Sequence, residues 1–120
     1  MILLGLAGKA GSGKDTVADY LVRAYGFIKF SFSDQLYAEV QAAFDLEDQS
    51  LLRDRETKDT PTGRLSLETC DDTAFVNLIW DILDASGGIC LPHKIKPLSP
   101  RQILQWWGTE YRRAQDPDYW

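Results

Sequence analysis

Gly8-Lys9-Ala10-Gly11-Ser12-Gly13-Lys14-Asp15-Thr16 is the stretch of sequence that decides the fold. It fits the pattern G-x-x-x-x-G-K and lies between an apolar run and a helical pattern, which is the setting of a phosphate-binding loop. Glycines let the backbone curl so that successive N–H groups meet one anion, and the following helix adds partial positive charge. The sequence therefore predicts that this loop holds the phosphates of a nucleotide, and ATP is the nucleotide expected.

The residues of the loop have separate expected roles. The Lys14 ammonium is expected to reach the β- and γ-phosphates as a point charge. Asp15 stands where a Ser or Thr usually holds Mg²⁺, so either Thr16 supplies the hydroxyl or Mg²⁺ is held mainly by groups elsewhere. The predicted nucleotide-binding set is Gly8, Ala10, Gly11, Ser12, Gly13, Lys14, Asp15 and Thr16.

The residues on both sides of the loop predict a strand–helix–strand unit. Residues 2–7 form a nearly continuous apolar run, residues 27–32 are rich in aromatic and β-branched side chains, and 14–25 has helical periodicity ending at Gly26. A short third strand is predicted at 89–91. The expected fold class is α/β, a P-loop NTPase-type parallel sheet with flanking helices. We expect it to be incomplete at the C-terminus, because so few strands do not make a stable sheet.

The rest of the chain predicts helices within one domain, which divides into a P-loop unit at 1–32 and a helical acceptor-binding region at 33–120. One helix begins at Ser33 or Asp34, and another spans 71–86 and is closed by Gly87. The apparent strand signature at 78–81 lies within the second helical pattern, so we interpret it as helix. The expected buried positions of the two helices are Leu36, Val40, Ala43, Phe44, Phe75, Leu78, Ile79, Ile82 and Leu83.

The last predicted helix, 99–115, has two different faces. Ser99 with Gln102 forms a capping box, and Pro100 stands at the first helical position. The expected core arc is Pro100, Ile103, Leu104, Trp107, Tyr111 and Ala114. The opposite arc is Arg101, Gln105, Gly108, Thr109 and Arg112. This polar arc suits a clamp for a phosphate and a base edge, although a face that simply meets water is the alternative.

Composition limits the classes of function. The 120 residues carry a net charge of -5, which disfavours a non-specific nucleic-acid binder. No apolar run approaches the roughly 20 residues that span a bilayer, so no membrane partner is expected. Cys70 and Cys90 lack metal-type spacing and are expected to be reduced thiols, and His93 a surface residue. A cytoplasmic location follows as an expectation, and a homodimer is left open.

Several motifs together resemble the bacteriophage-type deoxynucleoside monophosphate kinases. They are GKAGSGKDTVA at 8–18, FSDQL at 32–36, RETK at 55–58 and SPRQILQWWGTE at 99–110, followed by Arg112 and Asp118-Tyr119-Trp120. The run at 99–110 is the most specific of these, and the Asp after the loop lysine is similar to the family's own variant. Tyr37 departs from the family, which often has Lys at that position.

The resemblance implies transfer of the γ-phosphoryl group of ATP to a deoxynucleoside monophosphate, with Mg²⁺. The implied catalytic residues are Lys14, Arg101 and Arg112. The implied acceptor-binding residues are Asp34, Arg55, Lys58, Arg101, Gln105 and Arg112, and Thr109 joins them as a member of the same polar arc. Two alternatives stay open: another small-molecule P-loop kinase, such as a dephospho-coenzyme A kinase type, and a truncated, non-catalytic nucleotide-binding fragment.

Overall fold

The computed structural model describes residues 1–31, 33–86 and 96–119. Contacts divide the chain into two compact units, Met1–Ser31 and Phe32–Trp120. The first unit contains one helix, α1, Lys14–Tyr25. This helix ends as its sequence predicts, because Gly26 adopts a φ of 70° and its amide donates to the Val22 carbonyl at 3.1 Å. Only glycine adopts such a left-handed conformation at little cost.

The predicted parallel sheet is wrong for the part of the chain that the structure describes. Residues 2–7 and 27–31 are not strands. The β-pairing within the described residues is one isolated antiparallel bridge, between Thr62 and Leu98. The side chains of Ile2 and Phe30 are 74% and 86% exposed. An apolar run indicates that a segment favours burial, but a strand forms only when neighbouring backbone completes its hydrogen bonds. The third predicted strand, 89–91, lies outside the described residues, as does Phe32.

The second unit is built from helices. Between its second and third helices, a 3₁₀ turn spans Leu67–Thr69, with Ser66 as its N-cap. The chain then continues from the last α-helix into a wider π-helical segment without a break. The elements are α2, Ser33–Ala43; α3, Ser50–Arg53; α4, Thr73–Ala85; α5, Pro100–Gln105; and the π-helical segment, Trp106–Arg113.

The core of the second unit is aromatic at its centre. The Phe75 ring lies 4.6 Å from the Trp107 ring and 5.5 Å from the Tyr111 ring, measured between centroids. Burial confirms the helical phases predicted for α2 and α4 at their central positions, although Ile82 stays exposed. The buried apolar residues are Val40, Phe44, Leu46, Leu52, Leu65, Leu67, Phe75, Ile79, Leu98, Ile103, Leu104, Trp107 and Tyr111.

Side-chain caps fix where two of these helices begin. The Ser99 hydroxyl accepts a hydrogen bond from the Gln102 amide at 3.3 Å, with Pro100 next in sequence. This is one half of the predicted capping box, and the return bond from the Gln102 side chain to the Ser99 amide is not formed within the described residues. Asp72 caps α4 by accepting from the Phe75 amide at 3.0 Å, so residues 78–81 are helical as expected. The predicted end of this helix at Gly87 lies outside the described residues.

The last helix differs from its prediction beyond Gln105. The backbone widens into the π-helical segment, which has more residues per turn than an α-helix. This change of period keeps Trp107 and Tyr111 in the core and also buries Gly108, but it leaves Ala114 exposed. The expectation that Ala114 belongs to the core arc is therefore wrong, because that arc assumed 100° per residue to the end.

Some features bear on the excluded classes of function. Within the described ranges, no helix is long and apolar enough to cross a membrane. Cys70 forms no disulfide, and burial raises the pKa of its thiol to about 11. Cys90 and His93 lie outside the described residues.

Candidate functional site

The predicted phosphate loop is curled in the structure. Gly11 and Gly13 have φ values of 78° and 85°, in the left-handed region that favours glycine. Between them, the Ser12 amide donates to the Lys9 carbonyl at 3.1 Å and closes a tight turn. The chain thus turns sharply just before α1 begins at Lys14.

The start of α1 offers backbone N–H donors that have no partner within the described part of the chain. The first helical hydrogen bond runs from the Val17 amide to the Gly13 carbonyl at 3.1 Å, and Gly13 has no side chain to cap the helix. The amides of Lys14, Asp15 and Thr16 therefore precede the helical ladder and meet no acceptor among the described residues. Uncapped amides at a helix start, together with the helix dipole, favour an anion.

The two ends of the loop approach each other closely. A Cβ built on Gly8 would clash with the Ser12 hydroxyl, so a residue with a side chain would crowd the turn. The Lys14 side chain is half-buried and forms no ion pair with any described residue, which leaves its ammonium available. Small residues, amides without an acceptor among the described residues and one cation suit a phosphate group.

Asp15 has a partner that sequence reasoning missed. The Lys29 ammonium lies 2.9 Å from the Asp19 carboxylate and 3.6 Å from the Asp15 carboxylate. The hydrogen bond to Asp19 is the main cause that raises the pKa of Lys29. Carboxylates four residues apart on one helix face were the available signal for a cation between them. The Thr16 hydroxyl is exposed, and the described part of the chain contains no group of three acidic, His or Cys side chains suited to a metal ion.

Two of the predicted acceptor-binding residues, Arg101 and Lys58, are joined through their backbones in the second unit. The Arg101 guanidinium forms a bidentate ion pair with the Asp59 carboxylate. The backbone amide of Arg101 donates to the Lys58 carbonyl at 3.0 Å. The hydrogen bond from Arg101 is the main cause that lowers the pKa of Asp59. Lys58 itself donates to the Tyr37 hydroxyl at 3.2 Å. The residue that sequence reasoning missed here is Asp59.

Tyr37, the residue that departs from the family pattern, lies among charged neighbours. The Arg53 guanidinium lies 4.3 Å from the centroid of its ring and donates to the Asp34 carboxylate at 3.0 Å. Two predicted acceptor-binding residues therefore lie near Tyr37: Lys58 bonds to its hydroxyl, and Asp34 is held by the Arg53 guanidinium that lies over its ring. The sequence did not indicate a role for Arg53. Arg55 is exposed and takes part in no ion pair within the described residues.

Arg112 is more enclosed than a solvent-facing arc implies. Its side chain is 21% exposed, and its Nε donates to the Glu39 carboxylate at 2.8 Å. Burial would lower the pKa of Arg112, but the hydrogen bond and charge of Glu39, together with the charges of Tyr119 and Tyr111, outweigh it and raise the pKa. Gln105 and Thr109, by contrast, are exposed on the outside of the same continuous helix.

Comparisons with known proteins give one informative likeness. Over 64 residues the chain is 44% identical to an Acanthamoeba polyphaga mimivirus protein named "Putative deoxynucleotide monophosphate kinase". The matched stretch is 53% of this chain and 33% of the relative, so the chain spans about a third of the length of the curated relative that it matches. No family model matches the chain, and no solved structure does.

Proposed function

We propose that this protein is a kinase that transfers the γ-phosphoryl group of ATP to a deoxynucleoside monophosphate. The observation that carries the proposal is the curled loop at 8–13. It leads into the start of α1, where the amides of residues 14–16 have no acceptor among the described residues and the Lys14 ammonium has no ion pair among them. The 44% identity to a relative named as this type of kinase supports the choice of acceptor. The bacteriophage type and a cytoplasmic location stay predictions, and a homodimer stays open.

On the donor side, the chain supplies positive charge and position. The amides of Lys14, Asp15 and Thr16 bind phosphate oxygens, and the Lys14 ammonium neutralises charge on the β- and γ-phosphates. Thr16 is the residue that would hold Mg²⁺ in this unit, and the ion would neutralise charge that develops during transfer. Phosphoryl transfer needs little covalent chemistry from a protein, so such positioning and electrostatics account for the catalysis.

On the acceptor side, Arg101 is an exposed guanidinium that can meet a phosphate. Its ion pair with Asp59 has side chains that are 59% and 67% exposed. Exposed pairs of that kind contribute little to stability, so an incoming phosphate dianion can displace Asp59. Gln105 and Thr109 offer an amide and a hydroxyl on the same helix for the nucleoside.

A screen of acceptors on the whole protein tests the proposal. The protein is incubated with ATP, Mg²⁺ and each deoxynucleoside monophosphate or dephospho-coenzyme A, and formation of ADP is measured. We expect ADP to form in step with a deoxynucleoside diphosphate, and Lys14→Ala to abolish it while Arg23→Ala on the same helix does not. Turnover of dephospho-coenzyme A alone would favour the other kinase class. ATP binding without turnover of any acceptor would favour the non-catalytic alternative.

A further inference from the structure

Glu39 is a carboxylate whose hydrogen-bonding capacity is fully used although no sequence motif singled it out. Its side chain is only 12% exposed. It accepts from Trp107 Nε1 at 2.7 Å, Arg112 Nε at 2.8 Å, Tyr119 OH at 2.6 Å and Gln35 Nε2 at 3.3 Å. Glu39 thus ties α2 to residues as far as 80 positions along the chain.

These contacts fix the orientation of the Arg112 guanidinium. Nε is occupied by Glu39, and Nη1 makes one long hydrogen bond of 3.4 Å to Gln115. The guanidinium carbon lies 4.5 Å from the Tyr111 ring centroid and 5.2 Å from that of Tyr119. Nη2 meets no hydrogen-bond acceptor among the described residues, so the terminal end of the guanidinium retains donors for a further ligand.

An ion pair of this kind is better suited to orientation than to stability. Removing two charges from water offsets much of their attraction, so an enclosed pair adds less stability than its short distance suggests. A guanidinium held through Nε cannot rotate freely, and its remaining N–H groups keep a fixed direction. Such fixed donors bind a phosphate more tightly, because the side chain is already ordered before binding and loses little further entropy.

We infer that Glu39 is a positioning residue for the acceptor: it holds Arg112 so that the terminal N–H groups of Arg112 receive the phosphate of the deoxynucleoside monophosphate. This inference rests on the proposed function and adds to it a residue that does not itself touch the acceptor. It separates the two arginines of the acceptor set. Arg101 is exposed and can exchange its Asp59 partner for a phosphate, whereas Arg112 is enclosed and its guanidinium is already oriented by Glu39.

A double-mutant cycle on the full chain tests the inference. Dissociation constants for the best deoxynucleoside monophosphate and for ATP are measured on wild type, Glu39→Gln, Arg112→Gln and the double variant. We expect Glu39→Gln to weaken acceptor binding about tenfold, the usual effect of losing one well-placed charge-assisted hydrogen bond. The double variant should bind no more weakly than Arg112→Gln alone, and ATP affinity should stay unchanged.

The control and the contrary outcomes separate positioning from stability. Asp72→Ala removes hydrogen bonds at the start of α4 and leaves Glu39, Arg112 and the Tyr111 and Tyr119 rings in place, so it should lower the melting temperature without changing acceptor affinity. Unchanged acceptor affinity in Glu39→Gln, or additive effects in the cycle, would overturn the positioning role alone. A wild-type protein that binds no monophosphate would overturn the proposed function itself. Should Glu39→Gln not fold, Glu39→Asp replaces it, since it keeps the charge but shifts the carboxylate, and undiminished binding would again refute positioning.

Discussion

Asp72 has two hydrogen-bonding roles at the start of α4. Its carboxylate caps the helix through the Phe75 amide and accepts from the buried Tyr111 hydroxyl at 3.0 and 3.1 Å. We expect Asp72→Ala to destabilise the protein by about 2 kcal/mol, because it loses a cap and leaves a buried hydroxyl without its partner. Urea unfolding measures the change. Asp71→Ala is the matched control, since the exposed Asp71 bonds through its backbone amide, and an equal loss in both variants would refute the role of Asp72.

The Glu39 carboxylate should make folding sensitive to acid. Burial would raise the pKa of Glu39, but hydrogen bonds from Trp107, Tyr119, Arg112 and Gln35 outweigh it and lower the pKa below its ordinary value of 4.5. Because the folded pKa is depressed, the stabilisation is present above pH 4.5 and is lost as the pH falls through the folded pKa. We expect the melting temperature of wild type to fall more steeply than that of Glu39→Gln below pH 4.5. Equal slopes in thermal melts would contradict this.

At the scale of elements, the helix that contains the polar arc shows what periodicity can and cannot predict. Ser99, Pro100 and the apolar spacing correctly indicated where α5 begins and which of its residues are buried. The π-helical segment was not predicted, because a change of helical period depends on how Trp107 and Tyr111 pack against α2 and α4. Local spacing carries no signal for that packing.

Gly108 in the π-helical segment provides a test at this scale. A Cβ at this position would lie 3.7 and 3.8 Å from the δ carbons of Leu36, which is ordinary van der Waals contact. The φ of Gly108 is not positive, so alanine fits without strain and restricts the unfolded chain. We expect Gly108→Ala to stabilise the protein by about 0.5 kcal/mol. Gly108→Val should destabilise it, because its extra methyl groups meet Leu36, and thermal melts that rank the two variants in the opposite order would refute this packing.

At the scale of the whole molecule, the sequence predicted the helices and the core better than the sheet and the ion pairs. A helix forms its backbone hydrogen bonds within one segment, and the spacing of apolar residues such as Val40 and Ile79 predicts it. Strands and ion pairs need partners from distant sequence: Arg101 and Asp59 are 42 positions apart, and Arg112 and Glu39 are 73 apart. Asp59, Glu39 and Arg53 therefore could not be identified as partners from the sequence alone.

Hydrogen exchange tests the correction to the fold. Residues 2–6 and 28–31 have no strand pairing, whereas the amides around Ile79 and Ile103 lie in helices with buried side chains. We expect the unpaired segments to exchange at close to the rate of an unstructured peptide, and the helices to exchange far more slowly. Mass spectrometry on the intact chain gives both rates in one sample. Comparable protection of residues 2–6 and the core helices would show that these segments are paired after all.

The affinity of Lys14→Ala for ATP tests the central claim most directly. In the proposed donor site the phosphates lie against the Lys14 ammonium and the uncapped amides of α1, so removing the ammonium should weaken ATP binding about a hundredfold or more. Arg23→Ala removes the same charge from the last turn of the same helix and should bind ATP as wild type does. Isothermal titration of the three proteins provides the comparison. A Lys14→Ala protein that remains folded and binds ATP with wild-type affinity would contradict the account.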